Sequence, residues 1–177
     1  FCPQAMIRLI SLMNKPLINL IIACGQNGEI GLGGGLPWEG EYAEDREWYT
    51  SQTLDNIRVG TRGAIMNFTA DRPSVLVSSS NEMPDHCLGV YNWHELTPDH
   101  ILNDIKASFP QYSIYIVGGV EWYEASAHVA DRILLTRIAK DFDHDRKVDL
   151  DLILANRKLE SSKVASTHGE VTFETWV

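Results

Sequence analysis

The chain has 177 residues, 44% of them hydrophobic and 22% charged, with a formal net charge of −9. Those shares fit an ordinary globular protein, and they exclude a disordered chain or a nucleic-acid binder, since no basic stripe is present to meet phosphates. The length suits one domain with a real core, and no run approaches the roughly 18 to 20 apolar residues that span a bilayer, so no membrane partner is expected.

Residues 1 to 16 carry no motif and read as an extension ahead of a single domain over 17–177. Leu17 to Cys24, LINLIIAC, is an apolar run broken only by Asn19, with β-branched residues, the signature of a strand buried on both faces of a parallel sheet. Preceded by Arg8 and Lys15, the same run resembles a lipoprotein signal ending at Cys24, but its length also suits a buried strand that feeds directly into a glycine loop. Gln26-Asn27-Gly28 reads as a turn. Ile30 to Trp38 is then a loop, in which Gly31, Gly33, Gly34 and Gly35 loosen the backbone before Pro37 stiffens it. From Asp45 to Leu54 the pattern turns helical, and Trp48, Tyr49, Gln52 and Thr53 share a face with Asp45.

Asn56 to Gly63 is polar and reads as a loop, followed by short strands at Ala64–Met66 and Ser74–Ser78. Only Asn67 to Pro73 separates those two strands, too little for a helical crossover of the usual dozen residues. Gly89 to Tyr91 suits a short edge strand. Thr97 is a clear N-cap with Pro98 at the first helical position, and Ile101, Leu102, Ile105 and Phe109 form one apolar stripe. Ile114–Val117 is a central strand ending at Gly118-Gly119. A helix over Glu121–Val129, a strand over Ile133–Ile138 and a last strand within Gly169–Val177 complete the chain. Alternating strands and helices followed by strands alone imply an α/β fold, a mostly parallel central sheet with an antiparallel C-terminal edge and helices on both faces. Parallel strands open their carboxyl ends onto a ligand crevice, so the loop after the first strand and the glycines after Val117 should face one site.

The cysteines Cys2, Cys24 and Cys87 are odd in number and widely spaced, fitting neither a disulfide framework nor zinc, and they point to a reducing, cytoplasmic home. The histidines show no metal-ligand spacing. His144, within Asp143-His144-Asp145, reads as part of a solvated charged loop, so no metal is expected.

The run I-G followed by Leu36-Pro37-Trp38, then Asp45, Tyr49 and Thr53 at offsets of four and eight, resembles the dihydrofolate reductase family. Glu44 remains an alternative for the acid, although it breaks the register with Tyr49 and Thr53. The resemblance implies NADPH-dependent reduction of 7,8-dihydrofolate by hydride transfer to the pterin, in a monomer acting on a small molecule. It implies catalytic roles for Asp45, Trp38, Leu36 and Thr136. It implies substrate contacts from Ile22, Ala23, Tyr49, Thr53, Arg72 and Val117, with Arg72 gripping the α-carboxylate of the folate glutamate. It also implies cofactor contacts from Ala23, Ile30, Gly31, Ser78, Ser79, Gly118, Gly119 and Tyr123. The family's phosphate-binding G-R-x-T turn and following helix find no match between Met66 and Arg72, where Asn67-Phe68-Thr69 stands. Arg46 also occupies a place that is often apolar in the family. That departure leaves an alternative, an impaired reductase-like domain that binds pterin or nucleotide or serves a structural role.

Overall fold

The structure is a computed structural model that describes residues 15–65, 71–165 and 167–177. Most of the expected extension, residues 1–14, lies outside these, as do Met66 and Asn67-Phe68-Thr69. The elements in chain order are β1 (Ile18–Cys24), β2 (Glu29–Gly31), helix α1 (Ala43–Thr53), β3 (Ile57–Gly60), β4 (Ser74–Ser78) and β5 (Gly89–Asn92). Helix α2 (Pro98–Ser108), β6 (Ile114–Gly118), α3 (Val120–Ser126), β7 (Arg132–Ile138), β8 (Arg146–Lys147), α4 (Leu150–Ile153), β9 (Leu159–Val164) and β10 (Val171–Trp176) follow.

Eight strands form one sheet in the order β5-β4-β3-β6-β1-β7-β10-β9. Neighbours from β5 to β7 run parallel, and β10 and β9 add an antiparallel edge, as the sequence pattern implies. Because interior parallel strands bury both faces, their side chains split into two apolar layers. Leu20, Ile22, Val59, Val75, Ile116 and Leu135 pack with Ile101, Leu102 and Ile105 of α2 and with Trp122 of α3. On the opposite face Ile21, Tyr115, Val117 and Leu134 meet Trp48 and Tyr49 of α1.

Helix α2 begins where its cap signals place it, with Thr97 Oγ1 accepting from His100 N at 3.2 Å. Thr97→Ala should therefore cost about 1 kcal/mol. Urea unfolding checks this, and an unchanged midpoint would deny the cap its role.

Two parts of the expected pattern are corrected. The strand expected at Ala64–Met66 lies earlier, at Ile57–Gly60, while Ala64 lies in a turn. The signal was masked by Arg58, a cation in mid-strand that is only 5% exposed because its Nε donates to Ser74 Oγ and its Nη2 to Arg72 O. With β3 in its true place, the connection to β4 spans 61–73, long enough for a parallel crossover. The second correction is β9, LESSKV, which was not expected as a strand because every residue is exposed and no apolar alternation marks it. No helix among the described residues is long and apolar enough to cross a membrane.

Candidate active site

At the carboxyl ends of β1, β3 and β6 lies a cleft of about 480 Å³. Both expected contributors face it: the glycine loop after β1 and Gly118-Gly119 after β6.

Asp45 sits in the first turn of α1, where the helix dipole favours an anion, yet it is only 8% exposed. Burial pushes its carboxyl above the ordinary range; a hydrogen bond with Thr136 opposes the rise, and the charge of Glu44 adds to it. Thr136 reaches it from β7, directly beside Ala23 of β1. Glu44 points elsewhere. Its Oε1 meets His168 Nδ1 at 2.5 Å, while the hydroxyl of Tyr42 donates to Glu170 Oε1, so the turn between β9 and β10 ties down the start of α1. Of the two candidate acids, Asp45 is the one that faces the cleft. Sequence reasoning missed this brace, because its partners lie 124 and 128 residues apart.

The loop closes the cleft from above. Leu36 is 47% exposed at the rim, whereas Trp38 is 3% exposed and packs on Phe142 with ring centroids 5.1 Å apart. Trp38 Nε1 has no hydrogen-bond partner among the described residues. The loop is tethered by Asp145, whose backbone N donates to Gly31 O and whose Oδ2 accepts from Gly33 N, both at 2.9 Å.

Ile22, Ala23, Ile30, Gly31, Tyr49, Val117 and Tyr123 all line the cleft. Tyr123 donates its hydroxyl to Ile21 O at 2.8 Å, and its ring lies against Gly118. The peptide between Gly118 and Gly119 is cis. Beside them, β3 ends at Gly60 and runs into Thr61-Arg62-Gly63, where Thr61 N donates to Gly118 O and Thr61 Oγ1 accepts from Gly119 N. A Cβ on Gly60 would come within 2.6 Å of Gly118 O, so this close approach requires glycine. The strand and glycine turn sought after Met66 thus stand at 57–63, with Thr61 directly after the glycine and Arg62 next.

Although the chain is acidic overall, Arg46, Arg58, Arg72 and Arg146 line the cleft against Glu39, Glu41 and Asp45. The buried Nε of Arg72 has no partner among the described residues. Local cations of this kind admit anionic ligands to a negatively charged protein.

Three expected residues lie off the cleft. Thr53 is fully buried and its hydroxyl returns to Tyr49 O at 2.9 Å within α1. Ser78 and Ser79 stand at the carboxyl end of β4, two strands out from β6, where Ser78 Oγ accepts from Ser80 N. Among the described residues no cluster of His, Cys, Asp and Glu could hold a metal.

The dihydrofolate reductase family model matches residues 17–171. Dihydrofolate reductase type 9 of Escherichia coli is 24% identical over 168 residues, covering 90% of this chain and 92% of its own. Dihydromethanopterin reductase of Methylorubrum extorquens is 25% identical over 139 residues, covering 75% and 90% respectively. A dihydrofolate reductase from Enterococcus faecalis, solved with NADP(H) and RAB-propyl, shares the fold with a TM-score of 0.71 at 19% identity, covering 90% of this chain and 95% of its own.

Proposed function

The chain belongs to the dihydrofolate reductase family, and we propose that it reduces 7,8-dihydrofolate to tetrahydrofolate with NADPH as the hydride source. The observation that carries this reading is Asp45, a desolvated carboxylate hydrogen-bonded to Thr136 inside a largely apolar cleft. A scaffold has no need of such a group, whereas a pterin presents an amino group and a ring N–H that match it.

The small residues Ala23, Gly31, Gly118 and Gly119, with Ile30 and Tyr123, leave the width that a flat ring needs, which supports a nicotinamide beside the pterin. When bound, the cofactor supplies the hydride. The chain's own residues do the rest. Asp45 fixes the pterin and favours its protonated form, while Thr136 orients the carboxylate. Tyr49, Ile22 and Val117 enclose the pterin and the aromatic portion of the substrate. Leu36 and Trp38 exclude bulk water, and the unpaired Trp38 Nε1 can hold one ordered water on the path of the proton.

Arg72 is the substrate-side cation, and its free Nε favours a carboxylate ligand. Arg72→Leu should weaken methotrexate or dihydrofolate binding roughly ten- to a hundredfold, the scale of a lost charge-assisted hydrogen bond, with NADPH affinity unchanged. A titration showing the reverse order would remove Arg72 from the substrate end.

The deciding experiment follows NADPH absorbance with dihydrofolate, with and without methotrexate, alongside direct binding of each ligand. Methotrexate-sensitive oxidation is expected. Folate binding without NADPH binding or turnover would favour the second reading, a pterin-binding domain without catalysis, for which Thr61 at the phosphate turn is the supporting observation.

A further inference from the structure

We infer that Arg146, reaching over the cleft from β8, supplies the cation for the diphosphate of the bound dinucleotide, in a chain where Thr61 and not an arginine directly follows Gly60. The inference rests on the dinucleotide-dependent reading above.

On the wall formed by β3 and β6, Arg58 is turned to Ser74 Oγ and Arg72 O, and Arg62 on the turn after β3 does not line the cleft. Thr61 N is taken by Gly118 O at 2.8 Å, while Thr61 Oγ1 accepts from Gly119 N at 3.0 Å and keeps a single neutral O–H to donate. The first turn of α3 carries Glu121, which opposes an anion there. A diphosphate beside that wall would meet two or more negative charges of its own with little to offset them, in a chain whose net charge is −9.

Arg146 answers from the facing wall. Its stem lies over Gly31, where a Cβ would meet Arg146 Cβ at 3.0 Å and Cδ at 3.2 Å. Its Nη1 lies 4.0 Å from where a Cβ would stand on Gly63, so the guanidinium bridges the cleft from the β2–β8 pair to the turn. No hydrogen bond or ion pair engages it among the described residues. The neighbouring carboxylate, Asp145, is held by Gly33 N at 2.9 Å. A free planar fork at the mouth of a cleft is suited to paired phosphate oxygens. Because this cation stands next to the loop tether, ligand charge and loop position are gripped by consecutive residues, Asp145 and Arg146.

The test titrates NADPH by fluorescence into the wild type, Arg146→Leu, Arg146→Lys and Arg62→Leu, at low and moderate salt, with methotrexate titrated separately and melting temperature as a fold control. Arg146→Leu should bind NADPH at least about tenfold more weakly, with a shallower salt dependence, while methotrexate affinity and melting temperature hold. Arg146→Lys should recover most of the loss. The inference is overturned if Arg146→Leu binds NADPH as the wild type does, if Arg62→Leu alone shows the loss, or if methotrexate binding falls in parallel. A wild type that binds methotrexate but no NADPH overturns the dinucleotide reading itself, a result distinct from all of these.

Discussion

Asp45→Asn should lower turnover at neutral pH by about a hundredfold or more, the range expected when a positioned acid–base group is lost, while making the protein more stable. The two effects share one cause. Burial raises the carboxyl of Asp45 above its usual range in the folded state. For a group whose folded pKa exceeds its unfolded one, the favourable contribution is fully present below the unfolded value and is lost as pH rises through the folded value. At neutral pH the ionised carboxylate is therefore a burden on folding that asparagine removes. The thermal advantage of Asp45→Asn should be largest near pH 7 and should vanish as pH falls towards about 4, the ordinary aspartate range. Melting curves across that range, set beside single-turnover rates, check both halves. An inactive variant with no gain at neutral pH would mean that Asp45 is not held against a desolvation cost. A stabilised variant with full turnover would move the chemistry elsewhere.

Gly118→Ala should lower the melting temperature by several degrees and abolish ligand binding. Gly118 has φ of 111°, a region that side chains rarely adopt, and a Cβ there would stand 2.9 Å from Tyr123 Cε2. Strain and overpacking each cost on the order of 1–3 kcal/mol. For a chain of this size, about 3 kcal/mol corresponds to a fall of roughly 6–12 °C. The ring cannot simply retreat, because its hydroxyl is bound to Ile21 O within β1. The displaced backbone would break the hydrogen bonds that Gly118 and Gly119 make with Thr61 and distort that wall of the cleft. Calorimetry with methotrexate titration tests this, and an alanine variant with native melting and affinity would show that the close approach is dispensable.

The elements that were legible in the sequence are those whose environment is written in their own residues. β1 is apolar but for Asn19 because both its faces are covered, α2 carries Thr97 and Pro98 at its start, and Asp45, Tyr49 and the Leu36-Pro37-Trp38 turn keep their spacing. The parts that were missed draw their stability from distant partners. Arg58 makes β3 look like a loop until Ser74 and the Arg72 carbonyl are known to receive it. β9 is a strand through its hydrogen bonds to β10, with no buried face to mark it. The brace of Glu44 by His168 and the reach of Arg146 over Gly31 depend on loops whose meeting no local pattern records.

The position of β1 between β6 and β7 has a consequence for how the protein is made. Its first pairings join residues 96 and 113 positions apart, Ile18 with Ile114 of β6 and Asn19 with Arg132 of β7. A ribosome delivers this central strand before both of its neighbours, β6 and β7. The apolar run must wait, unpaired, while loop-closure entropy is overcome late, which predicts slow folding for the chain's size and an early strand that chaperones would find exposed.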